Sequence, residues 1–396
     1  MREVVICSGA RTAIGGFGGS LAGTPLCDLA TLVSSEAITR SGVAPADINQ
    51  TVFGNVIHTE PRDMYLSRVA AIGAGIPEAS PALTLNRLCG SGLQAVVTGA
   101  EQIMLGNADL VLAGGAENMS RVGHLMSAAR FGAKMGDIGA TDMMTGALTD
   151  PFGHGHMGVT AENVAEASDI GRSQQDALAL ESHRRATAAI EAGRFSEQIL
   201  PVTVRQGRKE IVFDTDEHVR RDVSLADFEK LRPAFRKDGS VTPGNASGIN
   251  DAAAALVLAA ADHAQANDMP TLAVIRAAAL GGVAPRVMGM GPVPAVTAAL
   301  ARAGLSVDDL DCIEANEAFA AQACAVASEL GFPSETTNPN GGAIALGHPV
   351  GASGAIILIK LIYELRRIGG RFGLATMCIG GGQGIAVIVE NPEAKV

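Results

Sequence analysis

Four residues of this chain have the types and settings that support nucleophilic and proton-transfer chemistry. They are Cys89 in "NRLCGSGLQA", Asn316 in "IEANEAFAAQ", His348 in "GGAIALGHPVGASG" and Cys378 in "ATMCIGGGQG". Cys89 stands where a strand-like run, "PALTL", stops and a helix-like run, "SGLQAVVTGAEQIML", begins. His348 and Pro349 stand in the same way before a second helix-like run, "GASGAIILIKLIYEL". A helix N-terminus favours negative charge, so a cysteine placed there is expected to have a depressed pKa. A histidine at such an end resists protonation. A neutral imidazole beside the thiol takes its proton, which is the activated-nucleophile arrangement of a Cys–His enzyme. Cys378 ends a strand, and the glycines after it let backbone N–H groups approach a ligand closely. Asn316 is read as ending a strand and starting a helix. Each residue alone has an ordinary explanation: a small core hydrophobe for Cys89, a turn histidine, a helix cap for Asn316, strand packing for Cys378. Four such residues at element ends beside glycine turns favour the chemical reading.

The elements that must position them repeat. "RSGVAPADINQTVFGN" (40–55) aligns with "RAGLSVDDLDCIEANE" (302–317) at an offset of 262 residues. "CGSGL" (89–93) meets "GASGA" (351–355) at the same offset. In each copy a glycine turn opens an apolar helix, and a strand ending in glycines follows. This predicts two similar α/β halves, 1–118 and 250–396, with an inserted segment at 119–249 that carries the densest charge. The helices "LQAVVTGAEQIML" and "GAIILIKLIYEL" are apolar on most faces and are therefore expected to be buried. The small residues Ala95, Gly99 and Ala100 suit close helix–helix approach. Two such helices between two sheets, with further helices outside, give a five-layer αβαβα sandwich. Two Rossmann-like domains side by side are the alternative from pattern alone, but no GxGxxG joins a strand to a helix in either half.

Composition narrows the function. A net charge of −11 argues against nucleic acid or an anionic membrane as the main partner. No run is long and apolar enough to span a bilayer, and the start "MREVVICSGARTAIGG" has too short an apolar stretch for a signal peptide. The six cysteines form no CxxC pair, so they are expected as free thiols in a cytoplasmic protein rather than as a zinc site. "HGH" (154–156) has no third ligand at an obvious spacing, and no metal is expected.

The motifs "NRLCGSGLQA", "GNASGIND", "EANEAFAAQA", "NPNGGAIALGHPVGASG" and "CIGGGQG" resemble those of the thiolases, the acetyl-CoA C-acyltransferases, and run in family order along essentially the whole chain. "FGNVIHTEPRDMYLSRVAA" is most similar to bacterial β-ketothiolases. The resemblance implies the thiolase fold, a loop domain covering the coenzyme site, and a homotetramer built as a dimer of dimers. It implies coenzyme A and acyl-CoA as substrates, with no permanently bound cofactor. In the implied ping-pong reaction His348 deprotonates Cys89, which becomes acylated, and Cys378 is the base that forms the enolate in condensation or protonates it in thiolysis. His348 and a water on Asn316 polarise one thioester; the N–H groups of Cys89 and Gly380 hold the other oxyanion. Arg220 is implied at the nucleotide end of CoA, Ser247 and His156 at the pantetheine, and Met157, Leu148, Phe235 and Phe319 as apolar walls. Asp227, where family members carry Ser, puts the nucleotide end in question. Two other functions compete: a decarboxylating condensing enzyme of the ketoacyl-synthase type, which needs no cysteine base, and a non-catalytic acyl-CoA carrier, which would tolerate loss of Cys89 or Cys378.

Overall fold

The computed structural model describes residues 2–394. Its principal elements are β1 (Val4–Thr12), α1 (Leu26–Ser41), β2 (Gln50–Gly54), α2 (Leu66–Gly73), β3 (Ala82–Leu85), α3 (Ser91–Met104), β4 (Leu110–Asn118), α4 (Met157–Ala167), α5 (Arg172–Glu191), β5 (Asn250–Ala260), β6 (Ala273–Gly282), α6 (Pro292–Ala303), β7 (Cys312–Ala315), α7 (Ala320–Leu330), α8 (Val350–Ile368), β8 (Phe372–Ile379) and β9 (Gln383–Glu390).

The strands lie in the order β3-β2-β4-β5-β1-β6-β9-β8-β7. β1, β4 and β5 are buried along their whole length, as continuous apolar runs between layers must be. The repeat seen in the sequence is a repeat of register. Gln50 pairs with Val111 in parallel, and Cys312 pairs with Gly373 in parallel, both partners shifted by 262 residues. An isolated parallel bridge, Ile313 to Thr337, stands where Thr51 pairs with Ala82. The ladder differs from two separate sheets at one point. Val4–Ile6 of β1 pair with β5 on one side and with β6 on the other, so the two half-sheets share a strand. A division at residue 250 assigns β5 to the second half, yet its hydrogen bonds place it between β1 and β4.

The layers follow from packing. α1 and α2 cover the outer face of the first half, and α6 covers that of the second. α3 and α8 lie in the middle: α3 packs on β2 and β4, α8 on β4, β5, β7 and β8, and the two helices pack on each other. Their crossing is closer than ordinary side chains permit. A Cβ on Gly92 would lie 2.8 Å from the Ala355 backbone nitrogen, and one on Gly354 would lie 2.3 Å from that of Leu93. Gly92 and Gly354 therefore set the crossing. Gly99, expected there, instead faces Val111 and Leu258 on the sheet.

The segment between β4 and β5 lies over this framework and is anchored by a buried ion pair. Arg11 on β1 donates to Asp216 at 2.8 Å and 3.0 Å, and the Ile14 N–H donates to the same carboxylate. Both ionic partners are fully buried, so the inserted segment is held from beneath.

Candidate active site

The loop from Asn86 to Ser91 holds Cys89. The Asn86 side chain accepts from the Leu88 N–H, and Ser91 Oγ both accepts from the Arg87 N–H and donates to the Leu88 carbonyl. These bonds hold Leu88 in the left-handed region, at φ 46°, a conformation a leucine adopts only under constraint. The turn ejects Cys89 from the strand direction, two residues before α3.

His348 occupies the matching place before α8. Its N–H donates to Asn250 Oδ1 at 2.9 Å, which ties it to the start of β5. Its Nδ1 lies 2.6 Å from Ser353 Oγ, and Ser353 Oγ donates to the Pro349 carbonyl at 3.0 Å. A hydroxyl has one proton. With that proton directed at the Pro349 carbonyl, Ser353 accepts from His348 Nδ1–H, so Nε2 carries the lone pair. This tautomer is assigned from the network. Nε2 has no protein partner among the described residues and belongs to a side chain lining the cavity.

Cys89, His348 and Cys378 share one cavity of about 410 Å³, a size that suits a small-molecule site. Leu148, His156, Met157, Phe235, Ser247 and Phe319 line it too, as do Met119, Met288 and Val350. The wall is built by packing. The His156 ring stacks on Phe235 at 4.8 Å, Phe235 meets Phe319 edge-on at 6.2 Å, and the His156 Nδ1 caps α4 by accepting from Gly158. Ser247 is held by its N–H on the Ala318 carbonyl. The backbone N–H groups of Gly380 and of Cys89 itself act to lower the Cys89 thiol. A Cβ on Gly380 would stand 3.2 Å from Leu88.

Burial dominates the electrostatics. It pushes the Cys89 thiol up to about 11, against the lowering effect of the two N–H donors. The expected depression is therefore not found: Cys89 packs against the apolar cluster of Ile57, Met119, Met144 and Val350, and desolvation of the thiolate is the largest effect on it. Burial raises the Cys378 thiol further, with Cys89 adding to the shift. Burial holds His348 down to about 4, so the imidazole is neutral, as expected, for a different reason than the helix end. The resting pair is thus a thiol and a neutral imidazole, not an ion pair.

Other expected residues lie elsewhere. Asn316 is not a helix cap: β7 ends at Ala315, and α7 begins at Ala320 after an extended Phe319 that bridges to Ala246. Asn316 lines a separate chamber of about 20 Å³ behind Ser353 rather than the large cavity. Arg220 is exposed and lies outside the cavity lining, with its N–H donating to His183 Nδ1. The Asp227 carboxylate is used locally: it caps a helical turn through Ser224 N–H and Oγ and pairs with Lys230, and these partners hold it down to about 2.

Two residues that sequence reasoning missed join the site. Ser353 sits one helical turn after Pro349 inside "GASG". Glu117 is fully buried and accepts from Asn55 Nδ2 and from the N–H groups of Val56, Ile57 and Gly351. It ties β4 and the 55–57 segment of the first half to the first turn of α8, two residues after Pro349, in the second. Only its place at the end of a glycine-terminated strand, "AGGAEN", hinted at it.

The family models for "Thiolase, N-terminal domain" and "Thiolase, C-terminal domain" match residues 4–262 and 269–391. The chain belongs to the thiolase family. It is 59% identical to a beta-ketothiolase, BktB, of Cupriavidus necator over 98% of this chain and 99% of that one. It is 49% identical to an acetyl-CoA acetyltransferase of Chromobacterium violaceum over 98% and 100% of the two chains. Among solved structures it superimposes on human mitochondrial 3-ketoacyl-CoA thiolase with a TM-score of 0.97, at 42% identity and 99% coverage of both chains. The same human enzyme in complex with CoA matches at 0.96, 42% identity and 98% coverage of both. The first thiolase model ends after β5, in agreement with that strand's hydrogen bonds.

Proposed function

We propose that this thiolase catalyses reversible acyl transfer between acyl-CoA thioesters through acyl-Cys89, joining acetyl-CoA to an acyl-CoA or cleaving a 3-ketoacyl-CoA with CoA. The observation that carries the reading is that two thiols, Cys89 and Cys378, face one cavity together with the neutral His348. In thiolysis His348 Nε2 takes the Cys89 proton, and the sulfur attacks the 3-keto carbonyl. The N–H groups of Cys89 and Gly380 are aimed where that oxygen becomes negative. The bond between C2 and C3 breaks, and Cys378 S–H protonates the departing enolate of acetyl-CoA. Its raised pKa suits this: it is a full thiol at rest and a strong base afterwards. Free CoA then gives its proton to the Cys378 thiolate and attacks acyl-Cys89. The freed Cys89 thiolate recovers its proton from His348. Condensation is the reverse, with Cys378 removing the α-proton.

A decarboxylating enzyme obtains its carbanion by losing CO2 and has no use for the second thiol. Asn316, which lines the small chamber and not the large cavity, reaches the enolising thioester only through the water that it and His348 hold. Ser247 and His156 take the pantetheine, Met157, Leu148, Phe235 and Phe319 wall the acyl end, and Arg220 meets the CoA phosphates, its exposed guanidinium serving as a free cation. Residues 119–249 form the cover and the flanking segments the two halves, with β5 in the first. A homotetramer is supported by the apolar side chains that the 123–143 segment holds in solvent, Phe131 at 92% and Met135 at 93% exposure. No described helix is long and apolar enough to cross a membrane, and all six cysteines are free, which supports a cytoplasmic enzyme.

The test is thiolysis of acetoacetyl-CoA and 3-ketohexanoyl-CoA by free CoA, side by side. Cleavage of both supports a thiolase with room for a β-ketothiolase substrate, and cleavage of the first alone a short pocket. Folded protein that cleaves neither removes Cys378 from its role.

A further inference from the structure

Behind the catalytic cavity lies a feature that the reaction described above leaves unused. Glu314 on β7 and Lys360 on α8 form an ion pair at 2.8 Å, with side chains 1% and 3% exposed. Lys360 Nζ also donates to the Gly341 carbonyl at 2.8 Å. An ammonium has three N–H donors, and the protein supplies two acceptors. The pair lines the chamber of about 20 Å³, together with Asn316 and Ser353. Two buried atoms of its lining residues, Glu314 Oε1 and Asn316 Nδ2, have no protein partner. A buried ion pair is poor value as a source of stability, because desolvation opposes its attraction. This one stands two residues before Asn316 on the same segment, and one face of its chamber is Ser353, which orients His348.

We propose that Glu314 and Lys360 are positioning residues for Asn316: the ion pair holds one internal water that accepts from Asn316 Nδ2 and donates to Glu314 Oε1, and so fixes the amide that serves the enolising thioester. The chamber has room for one water, and Asn316, Glu314 and the third Lys360 N–H give it the two to four polar partners such a water requires. The amide of Asn316 has no direct protein partner for Nδ2 among the described residues, and this water supplies one. The inference rests on the thiolase reading, because only there does Asn316 act on one half-reaction and not the other.

The experiment uses the full chain and two assays. Exchange of labelled CoA into acetyl-CoA reads acylation and deacylation of Cys89 alone. Thiolysis of acetoacetyl-CoA reads the enolate step as well. Removing one ionic partner strands the other in the interior and risks the fold, so the variant is Glu314→Leu with Lys360→Met, which removes both charges at similar volume. The expected result is CoA exchange within twofold of wild type, thiolysis kcat reduced about 10-fold, less than loss of an oxyanion donor itself costs, and an unchanged KM. In an Asn316→Ala background the double substitution should have no further effect on thiolysis, because the group it positions is gone. Equal thiolysis in the variant and wild type overturns the proposal. So does a parallel fall of both assays with a lowered melting temperature, which marks a structural pair, and so does an undiminished effect in the Asn316→Ala background. A wild-type protein that exchanges CoA but cleaves no 3-ketoacyl-CoA would instead refute the thiolase reading, independently of these variants.

Discussion

Ser353→Ala is the most informative single substitution at the nucleophile's base. Ser353 Oγ is 2.6 Å from His348 Nδ1 and donates its own hydrogen bond to the Pro349 carbonyl. The hydroxyl thereby keeps the lone pair on Nε2 of a side chain that shares the cavity with Cys89. Alanine removes that acceptor. The lost neutral hydrogen bond is worth about 0.5–1.5 kcal/mol net. With neither ring nitrogen favoured, about half of the molecules carry the proton on the wrong side, which adds roughly 0.4 kcal/mol at an RT of about 0.6 kcal/mol. The sum, about 1–2 kcal/mol, predicts a loss of about 5–30-fold in the acylation rate. Losing the carboxylate of a Ser-His-Asp site costs about 10⁴-fold, because a carboxylate stabilises imidazolium and a hydroxyl scarcely does. The assay is exchange of labelled CoA into acetyl-CoA at saturation, with KM expected to hold because Ser353 does not line the large cavity. Ser353→Thr should recover most of the rate. A rate within twofold of wild type in Ser353→Ala refutes the tautomer argument, and a loss beyond 1,000-fold shows that far more than ring orientation is at stake.

Three further expectations follow from the geometry. His348 works as neutral imidazole and is held down to about 4, so the acid limb of CoA exchange should fall near pH 4–5 and not near the ordinary histidine value of about 6.5. Gly354→Ala puts a methyl 2.3 Å from the Leu93 nitrogen and should cost about 1–3 kcal/mol in chemical denaturation; a neutral result would show that α3 and α8 are free to separate. Arg220→Ala should raise the KM for CoA about fivefold, the size of one exposed ion pair, with kcat for thiolysis unchanged.

Much of this was written locally in the chain. Glycine turns opening apolar helices marked Cys89 and His348, and the 262-residue offset proved to be a hydrogen-bond register. What escaped the sequence was decided by distant partners. β5 follows the inserted segment in the chain and was grouped with what comes next, while its pairing with β1 and β4 is a long-range event. "EANEAFAAQ" reads as a helix opening at Asn316 because Asn is a good cap, but the helix waits until Ala320, after an extended Phe319 that bridges to Ala246. The thiol of Cys89 was expected to ionise readily from its place before a helix. The apolar groups that prevent this come from residues 57, 119, 144 and 350, which no local window contains. Glu117 is a buried carboxylate whose four donors come from two other segments, and such a residue is silent until the chain is folded.

The shared strand β1 has a mechanical consequence. Many enzymes with two lobes work by hinging, opening to admit substrate and closing to exclude water. Here Val4–Ile6 are stitched to β5 and β6 at once, and Gly92 and Gly354 interlock the central helices. The lobes are welded, and a hinge between them would have to tear a ladder. Cys89 from one lobe is thereby held against His348 and Cys378 from the other. Variation in the shape of the cavity they share falls to the parts outside the weld, the inserted segment with its Leu148, Met157 and Phe235.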